Sequence, residues 1–142
     1  MENIFLCQGA IGNELVNAIT SIHSENKTTG GHAFFLGAVR NDVVNDKKVV
    51  EINYSAYPEM VENEMKSIIS EIYEKYKDVQ KISIKHSVGV VKAGENSLFV
   101  LVSAGHRVEA FKALEESVNL IKARIPIWKK ELLDDGSYFW TE

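Results

Sequence analysis

The sequence lacks the features that identify several common classes of protein. Its only cysteine is Cys7, which excludes a disulfide framework, and no Cys/His cluster has the spacing of a zinc site. No apolar run approaches the ~18 residues of a membrane-spanning helix, and the first residues contain no basic segment of the signal-peptide type. These absences indicate a cytoplasmic protein that does not have a membrane as a partner.

Basic residues are outnumbered by acidic ones. The chain has 16 Lys and Arg residues against 20 Asp and Glu residues, which gives a net charge of −4 and a pI near 5.6. Binding to nucleic acid usually requires a basic face, so we do not expect a nucleic-acid partner. A few clustered cations on an acidic chain can still bind one phosphate, while the acidic remainder limits non-specific binding.

The pattern that is present is that of one α+β domain over residues 1–142. A content of 45% hydrophobic and 25% charged residues is typical of a globular protein with a core. Helical spacing predicts helices at 12–22, 58–76 and 107–124, and strand patterns predict strands at 4–7, 32–39, 49–57, 81–86, 88–91, 97–103, 127–132 and 138–141. Residues 41–48 are polar and predict a mobile loop. The short final strands favour hairpins, so we expect a mixed, largely antiparallel sheet.

Two cationic side chains, His106 and Arg107, stand where the most apolar strand leads into the third helix. A helix N-terminus offers unpaired N–H groups and a partial positive charge, and these side chains add donors. The turn is therefore a candidate site for a phosphate or a carboxylate. Alternatively, Arg107 pairs with an acidic neighbour and His106 only caps the helix.

Lys122 lies on the same predicted helix, on the flank of an apolar stripe. At 100° per residue it falls about 20° from the first member of that stripe. The stripe consists of Phe111, Leu114, Val118, Ile121 and Ile125. Such a lysine either extends its ammonium group to water or lines a partly buried pocket, where desolvation lowers its pKa and suits it to proton transfer.

Two further cations occupy strand positions. In an extended segment, Lys129 points with Ile127 to one side and Lys130 points to the other, so that Lys129 shares a face with an apolar residue. An edge strand protected by lysines has the same pattern. Arg40 ends an apolar strand at the start of a polar loop, where ligand contacts are frequent. Considered alone, the residue favours an ordinary surface arginine over a ligand contact.

Together, these cations favour a small anionic ligand and acid–base or electrostatic catalysis, without identifying a substrate. A non-enzymatic anion-binding or scaffold module is the alternative, because no self-contained nucleophile–base motif is present. His86, in a strand with no second metal-type ligand nearby, is interpreted as structural. His23, at the end of the first helix, is interpreted as a partner of the helix dipole.

Five segments, in this order, resemble the large-subunit family of the molybdopterin synthases. They are FFLGAVRN (34–41), AYPEM (56–60), HSVGVVKAGE (86–95), VSAGHRVEAFKA (102–113) and LIKARIPIWKKE (120–131), with DGSYFW (135–140) after them. The resemblance covers nearly the entire chain, and its specificity comes from the order and spacing of the segments. Gly105 departs from the family pattern, which usually has Ala before His-Arg, and this glycine predicts a looser start of the third helix.

The resemblance implies an α/β hammerhead-type domain with an additional antiparallel β subdomain. It also implies a homodimer at the centre of a heterotetramer, with a small ubiquitin-like subunit at each end whose C-terminal Gly-Gly thiocarboxylate enters a pocket of the large subunit. The implied activity is that of a sulfurtransferase in molybdenum cofactor biosynthesis. It installs two dithiolene sulfurs in cyclic pyranopterin monophosphate, which becomes molybdopterin, and it has no metal or other cofactor of its own.

The same resemblance implies roles for six residues. Two are lysines of the active site, of which the first is the essential catalytic lysine of the family. The other four bind or enclose the anionic substrate, and the His-Arg pair among them often does so across the dimer interface. The implied catalytic residues are Lys122 and Lys129, and the implied substrate-binding residues are Phe35, Arg40, His106 and Arg107.

Overall fold

Residues 3–141 form eight strands and three helices in the computed structural model. The strands are β1 (Leu6–Gln8), β2 (Gly31–Ala38), β3 (Val43–Val44), β4 (Lys47–Ala56), β5 (Val79–Lys92), β6 (Asn96–Ala104), β7 (Ile127–Leu133) and β8 (Tyr138–Thr141), and the helices are α1 (Asn13–His23), α2 (Pro58–Lys75) and α3 (Arg107–Arg124). The predicted α+β class is confirmed, and so are the bounds of α3 and β8. None of these helices is both long enough and apolar enough to cross a membrane.

The sheet has the strand order β2-β6-β5-β4-β7-β8, and every pair along this path is antiparallel. β1 adds to β5 in parallel, and β3 pairs with β4. The predicted strands at 81–86 and 88–91 are one continuous strand, β5, whose first part pairs with β6 and whose second part pairs with β4. Gly89, at the junction, has a φ of 84°, and a Cβ there would overlap the side chain of Gln8. Glycine therefore permits β5 to join the two parts of the sheet.

β6, whose sequence is a run of apolar residues, lies between two apolar clusters. Val100 and Val102 belong to the main core, which also contains the buried residues of α2 and α3. Phe99 and Leu101 point to the opposite face and pack with Ile19 of α1. Helices therefore cover both faces of β6, which fixes this strand firmly inside the fold.

The apolar stripe predicted for α3 is wrong at its first member. The side chain of Phe111 is 63% exposed, and Val108 in the preceding turn is 58% exposed. The residues that α3 buries most completely are Ala110, Ala113, Ser117 and Ile121. Small side chains allow the helix to approach the sheet closely, and a pattern based on large apolar residues does not detect such a face.

Two local predictions are also corrected. His23 ends α1 as predicted, but it is not a charged partner of the helix dipole, because burial lowers its pKa to about 4. It is 1% exposed, with Nδ1 2.6 Å from Ser103 Oγ and Nε2 2.7 Å from Ser83 Oγ. Both ring nitrogens thus have the partners that a buried polar group needs. The predicted loop at 41–48 contains a short hairpin of β3 and β4, whose turn residues Asn45 and Asp46 have φ values of 52° and 63°. Two consecutive positive φ values are typical of the tight turns that join hairpin strands.

Candidate active site

A cavity of about 810 Å³ lies where the last turn of α3 meets the β4–β7 part of the sheet. The end of β2, the start of β6 and single residues of β5 and β8 complete its walls. Its lining includes three cationic and two anionic residues. These are Arg40, Lys122, Lys129, Asp42 and Glu131. The cavity is thus net positive on a chain with a net charge of −4, so a small anion is favoured there over the rest of the surface.

Lys122 extends from the last turn of α3 into this cavity, next to the buried side chain of Ile121. Partial burial lowers the pKa of Lys122, and repulsion from the ammonium group of Lys129 lowers it further. Of the two alternatives that the sequence left open, the structure matches the partly buried pocket. An ammonium group in such surroundings gives up its proton more readily than a lysine in water.

Lys129 reaches the same cavity from β7, where it is paired with Tyr54 of β4 and Thr141 of β8. The predicted alternation along this strand is confirmed, because Lys130 lies on the opposite face. Its Nζ is 3.9 Å from the ring centroid of Tyr138, a cation–π distance. Only one lysine of the adjacent pair therefore faces the cavity.

Arg40 lies at the rim of the cavity and Phe35 lies behind its wall. The Nε of Arg40 is 2.7 Å from Asp42 Oδ1, and the arginine side chain is 81% exposed. Phe35 is partly buried and packs against the core. A Cβ added to the cavity residue Gly37 would lie 3.0 Å from Cε2 of Phe35, so the ring supports this part of the wall from outside the cavity.

His106 and Arg107 lie at the other end of α3, so one chain does not bring them together with the lysines. Lys122 lies fifteen positions after Arg107, which corresponds to about 22 Å along the helix. Asp78 already occupies this helix N-terminus: its Oδ2 accepts hydrogen bonds from the His106 backbone N–H at 2.7 Å and from His106 Nδ1 at 3.2 Å. Arg107 forms no salt bridge with any residue between 3 and 141.

His86 is a cavity residue that the sequence interpretation missed. It is 9% exposed, and burial lowers its pKa to about 4, with further contributions from Lys129 and Lys122. The ring of Tyr54 packs edge-on against it at 5.1 Å between centroids. Ile82, Ile84 and His86 alternate along β5 and are all buried, so the strand period did place this histidine on an inward face. The strand period alone could not show that a cavity lies next to this histidine.

The comparisons with known proteins agree on one family. A family model described as "MoaE protein" matches residues 13–124. Among curated relatives named "Molybdopterin synthase catalytic subunit", one from Taeniopygia guttata is 40% identical over 113 residues, which cover 80% of this chain and 72% of that protein. Another, from Pyrococcus abyssi, is 41% identical over 117 residues, which cover 82% and 77%.

Solved structures agree with the sequence comparison. The crystal structure of molybdopterin synthase from Staphylococcus aureus is similar with a TM-score of 0.85 and 30% identity, over 100% of this chain and 98% of that one. A protein–protein complex of subunits 1 and 2 of molybdopterin-converting factor from Helicobacter pylori contains a chain with a TM-score of 0.77 and 20% identity, over 99% and 91%. This second likeness is one of fold alone.

We predict that the effect of a Gly105 substitution on the free energy of unfolding depends on Asp78, because a Cβ at Gly105 would lie 2.5 Å from Asp78 Oδ1. Gly105→Ala displaces the carboxylate that accepts the hydrogen bond of the His106 N–H at the start of α3, and losing one such hydrogen bond costs about 1 kcal/mol. In an Asp78→Ala background, the same change should stabilise the protein by about 0.5 kcal/mol, because alanine restricts the unfolded chain.

Urea unfolding of the wild type, the two single variants and the double variant measures this coupling. The expected difference between the two backgrounds is about 1 kcal/mol or more. Equal effects of Gly105→Ala in both backgrounds would show that the new methyl group does not displace the Asp78 carboxylate.

Proposed function

Because the chain belongs to the MoaE protein family, we propose that its cavity is the active site of a molybdopterin synthase, with Lys122 and Lys129 as the catalytic residues. A catalytic subunit of this kind is a sulfurtransferase of molybdenum cofactor biosynthesis. It converts cyclic pyranopterin monophosphate into molybdopterin by inserting two dithiolene sulfurs. The observation that carries the proposal is the convergence of both lysines, from α3 and β7, on one net-positive cavity.

Lys122 is assigned the proton transfers. Each sulfur insertion forms a C–S bond and breaks a C–O bond at one carbon of the pterin side chain, and the displaced oxygen leaves as water or stays on the phosphate. The same insertion breaks the C–S bond of the partner's thiocarboxylate, whose carbon takes up an oxygen from water. Protons must leave and enter the reacting groups in these steps. The lowered pKa of Lys122, caused by burial and by Lys129, raises the fraction of neutral amine that accepts a proton at Nζ.

Lys129 is assigned the electrostatic role. Its position on β7 holds an ammonium group in the cavity, where it neutralises an incoming thiocarboxylate and the charge that develops on it. Arg40 at the rim adds a planar donor for an anion, for which it has to exchange its exposed contact with Asp42. Phe35 holds the wall at Gly37 in place behind the substrate.

The sulfur donor in this proposal is the C-terminal Gly-Gly thiocarboxylate of a small ubiquitin-like subunit. A net-positive cavity with Arg40 at its rim suits the end of such a tail. The similar Helicobacter pylori structure is described as a complex of subunits 1 and 2, which supports a two-subunit arrangement. A sequence with one cysteine fits function in the reducing cytoplasm.

A second copy of the chain completes the site in this proposal. His106 and Arg107 are about 22 Å along α3 from Lys122, too far to hold the phosphate of the same substrate molecule. Val108 and Phe111, on the same helix half, expose most of their apolar surface. Such side chains are candidates for burial in an interface. In a two-fold homodimer, each copy then contributes its His-Arg pair to the other's cavity.

The first test is conversion of cyclic pyranopterin monophosphate, followed by mass, with the thiocarboxylated small subunit present. Lys122→Ala should lower the rate about 10²- to 10⁴-fold, because it removes the proton-transferring group. Lys129→Ala should also impair turnover. Lys130→Ala is the matched control, because Lys130 points away from the cavity, and it should stay near the wild-type rate. Near-normal turnover by Lys122→Ala would contradict its role.

The second test is complementation between two inactive variants. Lys122→Ala and Arg107→Ala are each expected to be impaired alone. After random mixing 1:1, half of the dimers carry one intact composite site, so activity should recover to about a quarter of the wild-type value. If each site belonged to a single chain, mixing would restore nothing.

A further inference from the structure

The imidazole of His86 is held in one orientation at the floor of the cavity. Its Nδ1 lies 2.8 Å from the carbonyl oxygen of Ser87, and the ring of Tyr54 packs against it edge-on. Tyr54 is itself fixed by a hydrogen bond of 3.1 Å from its hydroxyl to Ser97 Oγ. The ring therefore has little freedom to turn.

The contact with Ser87 also determines where the ring carries its proton. A carbonyl oxygen only accepts hydrogen bonds, so Nδ1 must donate, and in a neutral ring Nε2 is then a bare acceptor. A pKa near 4 keeps the ring neutral at physiological pH. The cause is burial first, and then the positive charges of Lys129 and Lys122.

Nε2 has no hydrogen-bond partner among residues 3–141. Unlike Ser87 Oγ, which is both unpaired and fully enclosed, Nε2 keeps some accessible surface. The residue is 9% exposed and lines the cavity, so we take Nε2 to face this space. The cationic groups of this cavity, on Arg40, Lys122 and Lys129, are donors only. Nε2 thus adds an uncharged acceptor at the floor.

We propose that His86 is a substrate-binding residue, whose Nε2 accepts a hydrogen bond from an N–H group of the pterin ring. This inference rests on the proposed function, since it names the residue that recognises the pterin ring within that site. A pterin carries an amino group and ring N–H groups, which a charged ammonium or guanidinium group cannot pair with because it too is only a donor. His86 then recognises the ring, while the cations hold the anionic parts of the substrate and the sulfur donor.

Two substitutions test the roles of Nδ1 and Nε2 separately. His86→Asn keeps a donor near the Nδ1 position for the Ser87 carbonyl and lacks any group at Nε2. His86→Gln places an amide at the Nε2 position, where its oxygen can accept. Titration calorimetry with cyclic pyranopterin monophosphate should give a Kd about 5- to 10-fold higher for His86→Asn, the effect of one lost hydrogen bond. His86→Gln should stay within about 3-fold of the wild type, by the same reasoning.

Glycerol phosphate, which has no pterin ring, is the control ligand. Both variants should bind it as the wild type does, and an equal loss of affinity for both ligands would overturn the inference. An unchanged Kd of His86→Asn for the pterin, in an enzyme that still turns over, would overturn it as well. If the wild type itself neither bound nor converted the pterin, the proposed function would fail instead.

The pH dependence distinguishes a neutral acceptor from a cation. The ratio of the pterin Kd of His86→Asn to that of the wild type should be constant between about pH 5.5 and 8. A ring with a pKa of about 4 stays neutral over this range, whereas an exposed histidine titrates near pH 6.5. An advantage that disappeared as the pH rose through about 6.5 would mean that a protonated His86 binds the phosphate, and would overturn the proposal.

Discussion

The two lysines of the cavity repel each other, and the structure holds them together against this repulsion. Lys122 and Lys129 are seven positions apart, on either side of the turn where α3 ends and β7 begins. Pro126 prevents the helix from continuing, and the Ile127 N–H donates to the Ile125 carbonyl at 2.9 Å, so the turn is tight. Two like charges held in a partly desolvated space make the neutral form of one of them more accessible.

Both sides of this turn are anchored from outside the cavity. At the end of α3, Arg124 lies 2.6 Å from Glu64 and 2.6 Å from Glu71, both on α2, so the last helical turn is tied to its neighbour. On the other side, β7 pairs along its length with β4 and also with β8. β5 connects this part of the sheet to the covered strands β6 and β2. The main core thereby supports a site that lies near its edge.

The sequence was sufficient where the chemistry is local. A proline set the end of α3, and the two-residue period of an extended strand separated Lys129 from Lys130. It was insufficient where a contact depends on distant pairing. Asp78 reaches the start of α3 across 28 positions, and no pattern in the sequence joins the two. The surroundings of His86 depend on Lys122 and Lys129, which three-dimensional packing brings close to the middle of β5.

The ionisation of Lys122 tests most directly whether the cavity couples its two lysines. NMR of protein with labelled lysine side chains, recorded as a function of pH, gives this pKa in the wild type, in Lys129→Gln and in the control Lys130→Gln. We predict that the pKa lies below the ordinary lysine value of about 10.4 and rises when Lys129 loses its charge, but not when Lys130 does. An ordinary value that neither substitution changes would show that the lysines do not act on each other, and would contradict the role assigned to Lys122.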